Sequence, residues 1–344
     1  MKKRALIILS MILAVVLLAG CSGTPVVYYG SCTCPAGSQS VPTEGDLKTG
    51  LAVVTSADKS GNAAQIEYDV TFVAVTVDDN GVIQDCMIDS LGPKVTFDET
   101  GVITSDLNAP ILTKNELGED YGMKAFAGSR YEWYEQAAAL ADYAVGKTVG
   151  ELKNGAINES GKAPEGSDLA ATATIYLGGY VNAIEAAVNN AQHLGAQSGD
   201  VLKLASISSL GSSRSATAEG DGTAQLDCNV TAITVKDGVI TSCYIDSVQA
   251  KVNFDTNGNI TSDLSTPIQT KNQLGESYGM AAWGGAISEW NEQAAAFAAY
   301  VTGKTAEEVA GIAVSEGKAT DADLAASVII SIVDFKDLIA KAMQ

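Results

Sequence analysis

The stretch IEYDVTFVAVTV at Ile66–Val77 is rich in β-branched and aromatic residues, stops at Asp79-Asn80-Gly81 and resumes as Val82–Ile88. This pattern predicts a β-hairpin, with Asn-Gly supplying the positive φ angles of a tight turn. Lys94–Asp98 and Val102–Thr104, joined through Glu99-Thr100-Gly101, predict a second hairpin, and together the two make an antiparallel meander. Beyond it the period changes. Thr113-x-x-Glu116 and Thr148-x-x-Glu151 are capping boxes that open helices, because hydroxyl and carboxylate satisfy the free amides of a first turn. Between them Tyr131–Val145 predicts a helix begun by Ser129-x-x-Glu132 and stopped by Gly146, with Trp133, Ala137, Leu140 and Ala144 on one core-facing side. Asp168–Leu177 reads as an extended segment, and Tyr180–Ala191 as a closing helix with Tyr180, Ile184 and Ala187 on one face.

The same order then recurs. KNELGEDYGM at Lys114–Met123 returns as KNQLGESYGM at Lys271–Met280, an offset of 157 with eight of ten residues unchanged. ITSDL, Trp133 and Gly146-Lys147 recur at Ile260–Leu264, Trp290 and Gly303-Lys304, and capping boxes recur at Thr270 and Thr305. A match this long predicts a duplicated domain. Strands first and helices after, without βαβ alternation, predict the α+β class. Each copy is expected to be an antiparallel meander followed by helices and a final strand-helix unit. The expected division is 1–20 leader, 21–45 tether, 46–196 first domain and 197–344 second domain. The length of 344 residues suits two domains.

Charge narrows the partners. Lys and Arg total 21 against 41 Asp and Glu, a net charge of −20. A nucleic-acid ligand would need cations to displace its counterions, so none is expected. At the N-terminus, Lys2-Lys3-Arg4 and the apolar run Ala5–Leu17 have the layout of a secretory signal peptide. Leu18-Ala19-Gly20-Cys21 resembles the bacterial lipobox, which implies diacylation of Cys21 and a lipid-anchored location on the extracytoplasmic face of the membrane. The Gly, Ser, Thr and Pro that follow to about Gly45 read as a tether, in which Cys32 and Cys34 are expected to be free or bridged between molecules.

Inventories of reactive groups are short. One histidine, His193, is too few for a His-rich metal site or a Ser-His-Asp triad, and no Gly-rich phosphate loop is present. Cys86 and Cys243 stand at equivalent places and read as small buried hydrophobes; a Cys228–Cys243 bridge across the hairpin does not suit the turn register. The loop Asp255-Thr256-Asn257-Gly258-Asn259 places its glycine too early for an EF-hand and reads as a turn.

What remains is Asp168-x-x-Ala171-Thr172-Ala173-Thr174. Over roughly Ile66–Ala191 the chain resembles the FMN-binding domain family of bacterial envelope electron-transfer proteins, whose signature is Asp-x-x-Ser-Gly-Ala-Thr before a helix. That resemblance implies FMN joined to Thr174 through a phosphoester made by a separate flavin transferase, and a redox partner to receive electrons. It implies a metal or transferase contact for Asp168 and a ring-stacking wall around Tyr121 and Trp133. Ala171 and Thr172 stand where the family has Ser and Gly, the Gly being where backbone approaches phosphate. The second copy keeps Asp323 but has Ile329 in the place of Thr174, so no covalent flavin is expected there. An acidic surface repels the phosphate of a free flavin, which makes a covalent bond the expected mode. The alternative is a noncatalytic cell-surface binding or structural module that has lost flavin. A hydrolase would have no candidate base, and an electron carrier or binding protein is expected over a turnover enzyme.

Overall fold

The first half runs β1 (Lys48–Ser56), β2 (Gln65–Glu67), β3 (Asp69–Val77), β4 (Ile83–Leu91) and β5 (Lys94–Thr96). It continues with α1 (Lys114–Leu117), α2 (Met123–Ala127), α3 (Trp133–Ala144), α4 (Val149–Ala156), α5 (Asp168–Thr172) and α6 (Gly178–Asn189). The second half runs β6 (Val201–Ser209), β7 (Gly222–Lys236), β8 (Val239–Phe254), α7 (Lys271–Leu274), α8 (Met280–Gly284), α9 (Trp290–Val301) and α10 (Ala306–Ala310). It closes with a two-rung hairpin β9 (Val314–Ser315) and β10 (Lys318–Ala319), then α11 (Ala322–Ala325) and α12 (Val333–Ala342). The computed structural model describes residues 46–61 and 64–344. The leader, the lipobox with Cys21, and the tether with Cys32 and Cys34 lie outside the described residues. The class is α+β, as the order of patterns predicts.

Two antiparallel three-stranded sheets, β1-β3-β4 and β6-β7-β8, carry the fold. Their registers correspond: Val75 faces Cys86 in one, Ile233 faces Cys243 in the other. Each sheet has helices on one face, α3 and α6 on the first, α9 and α12 on the second. Residues such as Val73, Val75, Leu140 and Ile184 fill the first of these outer cores, and Ile233, Phe297 and Leu338 fill the other. The opposite faces meet each other: Leu51, Val70, Phe72 and Phe97 share one buried cluster with Leu226, Val230, Val252 and Phe254. Four layers result, helix, sheet, sheet, helix. A strand covered on both faces has little use for polar alternation, which is why the middle of β3 is the continuous apolar run Phe72-Val73-Ala74-Val75.

The contact between the sheets is reciprocal. Phe97 stacks on Phe254, its own counterpart 157 residues on, with ring centroids 4.2 Å apart and planes within 4°. A Cβ on Gly101 (φ +72°) would sit 2.7 Å from the Asp255 carbonyl oxygen, and one on its counterpart Gly258 (φ +73°) would sit 3.3 Å from that of Asp98. A residue meeting its own counterpart is the geometry of a local two-fold axis. The buried Tyr68 hydroxyl crosses the seam to donate to the Ala224 carbonyl at 2.8 Å.

Several expectations need correction. Asp168–Thr172 and Ala322–Ala325 are helices, not strands, and so the closing strand-helix unit is helix-turn-helix in both halves. Side-chain oxygens of Ser167 and Asp321 cap them, accepting from Ala170 N and Leu324 N, and such a short helix shows no period to distinguish it. Helix α3 starts at Trp133 behind a Glu132–Glu135 capping box, while the Ser129 hydroxyl donates to the Tyr131 carbonyl within the preceding turn. The strand expected over Ile66–Val77 is broken at Tyr68, and β1 and β6, which no pattern above flagged, form one edge of each sheet. Other expectations hold: Cys86, Cys228 and Cys243 are buried free thiols, and Cys228 faces Val248 while Cys243 faces Ile233, so the two are not partners. The Asp255 carboxylate accepts from Asn257 N and Asn259 N at 2.8 Å, which makes its loop a self-bonded turn.

Helices α1 and α7 are pinned to the sheets by buried acids. Asp89 accepts from Ser90 N at 2.7 Å and Asn115 N at 3.1 Å, and Asp246 accepts from Ser247 N at 2.7 Å and Asn272 N at 3.2 Å. Burial pushes both carboxyls up to about 6, against hydrogen bonds that favour the charged form. The folded state therefore binds protons more tightly than the unfolded chain, so their contribution is complete below about pH 4 and is lost as pH rises through 6. Melting temperature is expected to rise from pH 8 to pH 5, by the equivalent of roughly 1–3 kcal/mol per site. An Asp89→Asn/Asp246→Asn chain is expected to show a flatter profile across that window; an unchanged slope would contradict the assignment.

Candidate functional site

One groove of about 660 Å³ opens beside the segment that follows α5. Its floor is sheet, with Val54 on β1 and Asp69 and Thr71 on β3, and its walls come from the Lys114–Ala127 segment, Trp133, Ile175–Tyr176 and Tyr180. The wall is fixed by Glu132, which is buried and whose carboxylate accepts from Met123 N at 2.7 Å and Lys124 N at 2.9 Å, holding the start of α2. Gly122 (φ +81°) leads into that helix, and the Phe126 ring lies where a Cβ there would be, 2.5 Å away. Phe126 and Tyr176 are exposed at the rim. Trp133 is core and wall at once: it is 3% exposed, yet its indole lines the groove and donates to the Tyr180 hydroxyl at 3.0 Å.

Lys114 stands between two rings, its Nζ 5.4 Å from the Tyr121 centroid and 5.0 Å from that of Trp133. Burial holds its ammonium below the usual lysine range, partly offset by Asp69. Among the described residues no carboxylate pairs with it, whereas Lys59 is paired with Asp69. A second hollow of about 530 Å³ shares Lys59, Asp69, Lys114 and Tyr121 with the first, so these four form the divide of one trough.

Thr174 lies on the surface next to this groove, whose lining begins at Ile175. Its position is set by Gln136, fully buried on α3. The Gln136 Oε1 accepts from Thr174 N at 2.7 Å, Ile175 N at 3.1 Å and the Thr174 hydroxyl at 3.2 Å. Asp168 is exposed on the first turn of α5, and Thr172 turns its hydroxyl back to the Leu169 carbonyl at 3.2 Å; neither lines the groove. Tyr121, Trp133 and the neighbours of Thr174 are thus brought together, while Asp168 and Thr172 are not.

The second half repeats the frame with different fittings. Lys271 lies between Tyr278 (5.1 Å) and Trp290 (4.8 Å), Glu289 holds Met280 N and Ala281 N, and Gln293 holds Ile329 N and Ile330 N. Phe335 replaces Tyr180 against the tryptophan, Trp283 replaces Phe126, and the hydroxyl of Thr174 has no equivalent on Ile329. Sequence reasoning assigns no site role to Lys114 or Gln136 and takes Glu132 only as the acid of a capping box, although each recurs unchanged 157 residues on, a signal open to inspection. His193 is a surface residue whose Nε2 lies 3.2 Å from Asp79.

Among the described residues no three His, Cys, Asp or Glu are placed to hold a metal, and no helix is long and apolar enough to cross a membrane. Comparisons with protein-family models, curated proteins and solved structures give no match to this chain.

Proposed function

We propose that this chain is a lipid-anchored extracytoplasmic electron relay that carries FMN on Thr174, with the two halves descended from one FMN-binding-like domain. The observation that carries the reading is the placing of Thr174: an exposed residue, its hydroxyl donating to Gln136, beside an aromatic groove of about 660 Å³. Small-molecule sites span about 300–1,000 Å³, so a flavin ring is of suitable size. Tyr121, Trp133 and Tyr176 offer ring faces and edges, and exposure of Thr174 allows a separate flavin transferase to reach it. Attachment joins Thr174 Oγ to the FMN phosphorus as the FAD phosphoanhydride breaks, with AMP leaving and the hydroxyl proton passing to the transferase or solvent. Bound flavin would supply one- and two-electron redox chemistry; the chain's residues orient it and exclude water from one face.

Supporting a second reading, a noncatalytic binding module, is Gln136 itself. Its carboxamide already takes the two amides at Thr174 and Ile175, so this loop has no free amides there for a phosphate. Coexpression with a flavin transferase in an envelope compartment separates the two. The relay reading expects in-gel flavin fluorescence that survives denaturation and disappears in Thr174→Ala, with no label on the second half. A colourless chain would favour the module, and label that persists in Thr174→Ala would contradict Thr174 as the point of attachment.

A further inference from the structure

The ammonium in each half sits in the same aromatic frame, but its charged neighbours differ. In the first half Asp69 is paired with Lys59, and Glu67 with Lys94 at 3.1 Å, so among the described residues Lys114 faces the trough with no carboxylate paired to it. In the second half the counterpart of Asp69 is Asp227, whose side chain among the described residues accepts from the Gln225 and Gln249 amides at 2.9–3.0 Å and pairs with no cation. A second acid, Asp334, stands in the first turn of α12, at the place that the groove-lining Gly179 holds on α6. With the buried acid of each half counted, Lys114, Lys59, Asp69 and Asp89 sum to zero, whereas Lys271, Asp227, Asp246 and Asp334 sum to −2. Two rings soften the desolvation of an ammonium but present no acceptor for its N–H groups. An ammonium in a half-buried aromatic slot, open on a cavity and lacking a carboxylate, is matched by an anion brought by a ligand.

We propose that the first-half groove is a site for a flat ligand bearing one anionic group, received by Lys114 between Tyr121 and Trp133, and that the second half is closed to such ligands by its own acid, Asp334. The inference shares its groove with the relay reading but goes beyond it, since binding at Lys114 does not need a bond to Thr174. It also locates a cation that the acidic composition of the chain conceals.

The test uses the full chain carrying Thr174→Ala, with free FMN and riboflavin as probes, read by quenching and anisotropy of flavin fluorescence. The two probes share one ring and differ in the phosphate. FMN is expected to bind about tenfold more tightly than riboflavin, the scale of one charge-assisted hydrogen bond. Lys114→Met is expected to remove that preference. So is Gly179→Asp, which transplants the second half's acid: Gly179 has open space around its Cβ position, and an acid in the first turn of α6 suits the helix dipole. Lys271→Met is expected to leave the preference intact. Equal binding of the two probes, a preference that survives Lys114→Met or Gly179→Asp with melting unchanged, or its loss in Lys271→Met would overturn the proposal. Covalent labelling of Thr174 is scored separately in the wild-type chain, so the failure of either idea leaves the other standing on its own result.

Discussion

Expressed alone, residues 46–196 are expected not to yield a folded monomer. The face of the first sheet that carries Leu51, Val53, Val70, Phe72 and Leu91 is buried against the second sheet, and Phe97 stacks on Phe254. Removing residues 197–344 leaves that face in water. Soluble monomers rarely tolerate a contiguous apolar patch above a few hundred Å², and the buried Tyr68 hydroxyl loses its acceptor at Ala224. Aggregation, or self-association through the same face, is the expected outcome in analytical ultracentrifugation. A monomer with a dispersed amide NMR spectrum would contradict the shared core.

Gln136→Leu is expected to cost about 3–5 kcal/mol, because it strands several buried groups at once. Gln136 Nε2 donates to the Tyr131 carbonyl at 3.0 Å and the Ser129 hydroxyl at 3.3 Å, while Oε1 receives the amides of Thr174 and Ile175. Leucine fills the volume and satisfies none of them. Denaturant unfolding gives the magnitude, and hydrogen exchange gives the place: amides from Ala173 to Leu177 are expected to lose protection first. Gln136→Glu keeps an acceptor for both amides but no donor for Tyr131, and is expected to fall between the two. Equal stability of the leucine variant would show that the Thr174 segment is held by something else.

The hairpins and the capping boxes were legible because their chemistry is local: the first turn is closed by the Asp78 carboxylate, which accepts from Val82 N, with Gly81 alone and not Asn80 at positive φ, and Thr113 caps its helix with a partner three residues away. Legibility failed where the deciding partner was remote. The edge strand β1 lies directly after a Gly/Ser/Thr/Pro stretch, and its register is set by pairing with β3 rather than by any strong pattern of its own. Helix α5 was mistaken for a strand because five residues cannot display a helical period, and its cap at Ser167 precedes the motif that drew attention. As for the candidate groove, Tyr121 and Trp133 line it and Thr174 lies beside it, but the polar residues that place them carry no local signal of that role. Gln136 and Glu132 act across 38 and 8–9 residues of chain, and only their recurrence as Gln293 and Glu289 hinted at it. Whether the halves touch was beyond any local pattern, though the missing polar alternation in β3 was its trace.

The most direct measurement is fragmentation mass spectrometry of the chain purified after coexpression with a flavin transferase. The account predicts one FMN phosphodiester per chain, located on Thr174, and an unmodified peptide containing Ile329. An unmodified Thr174 peptide from a host in which a known flavin acceptor is labelled, or flavin bonded to any other residue, would contradict it.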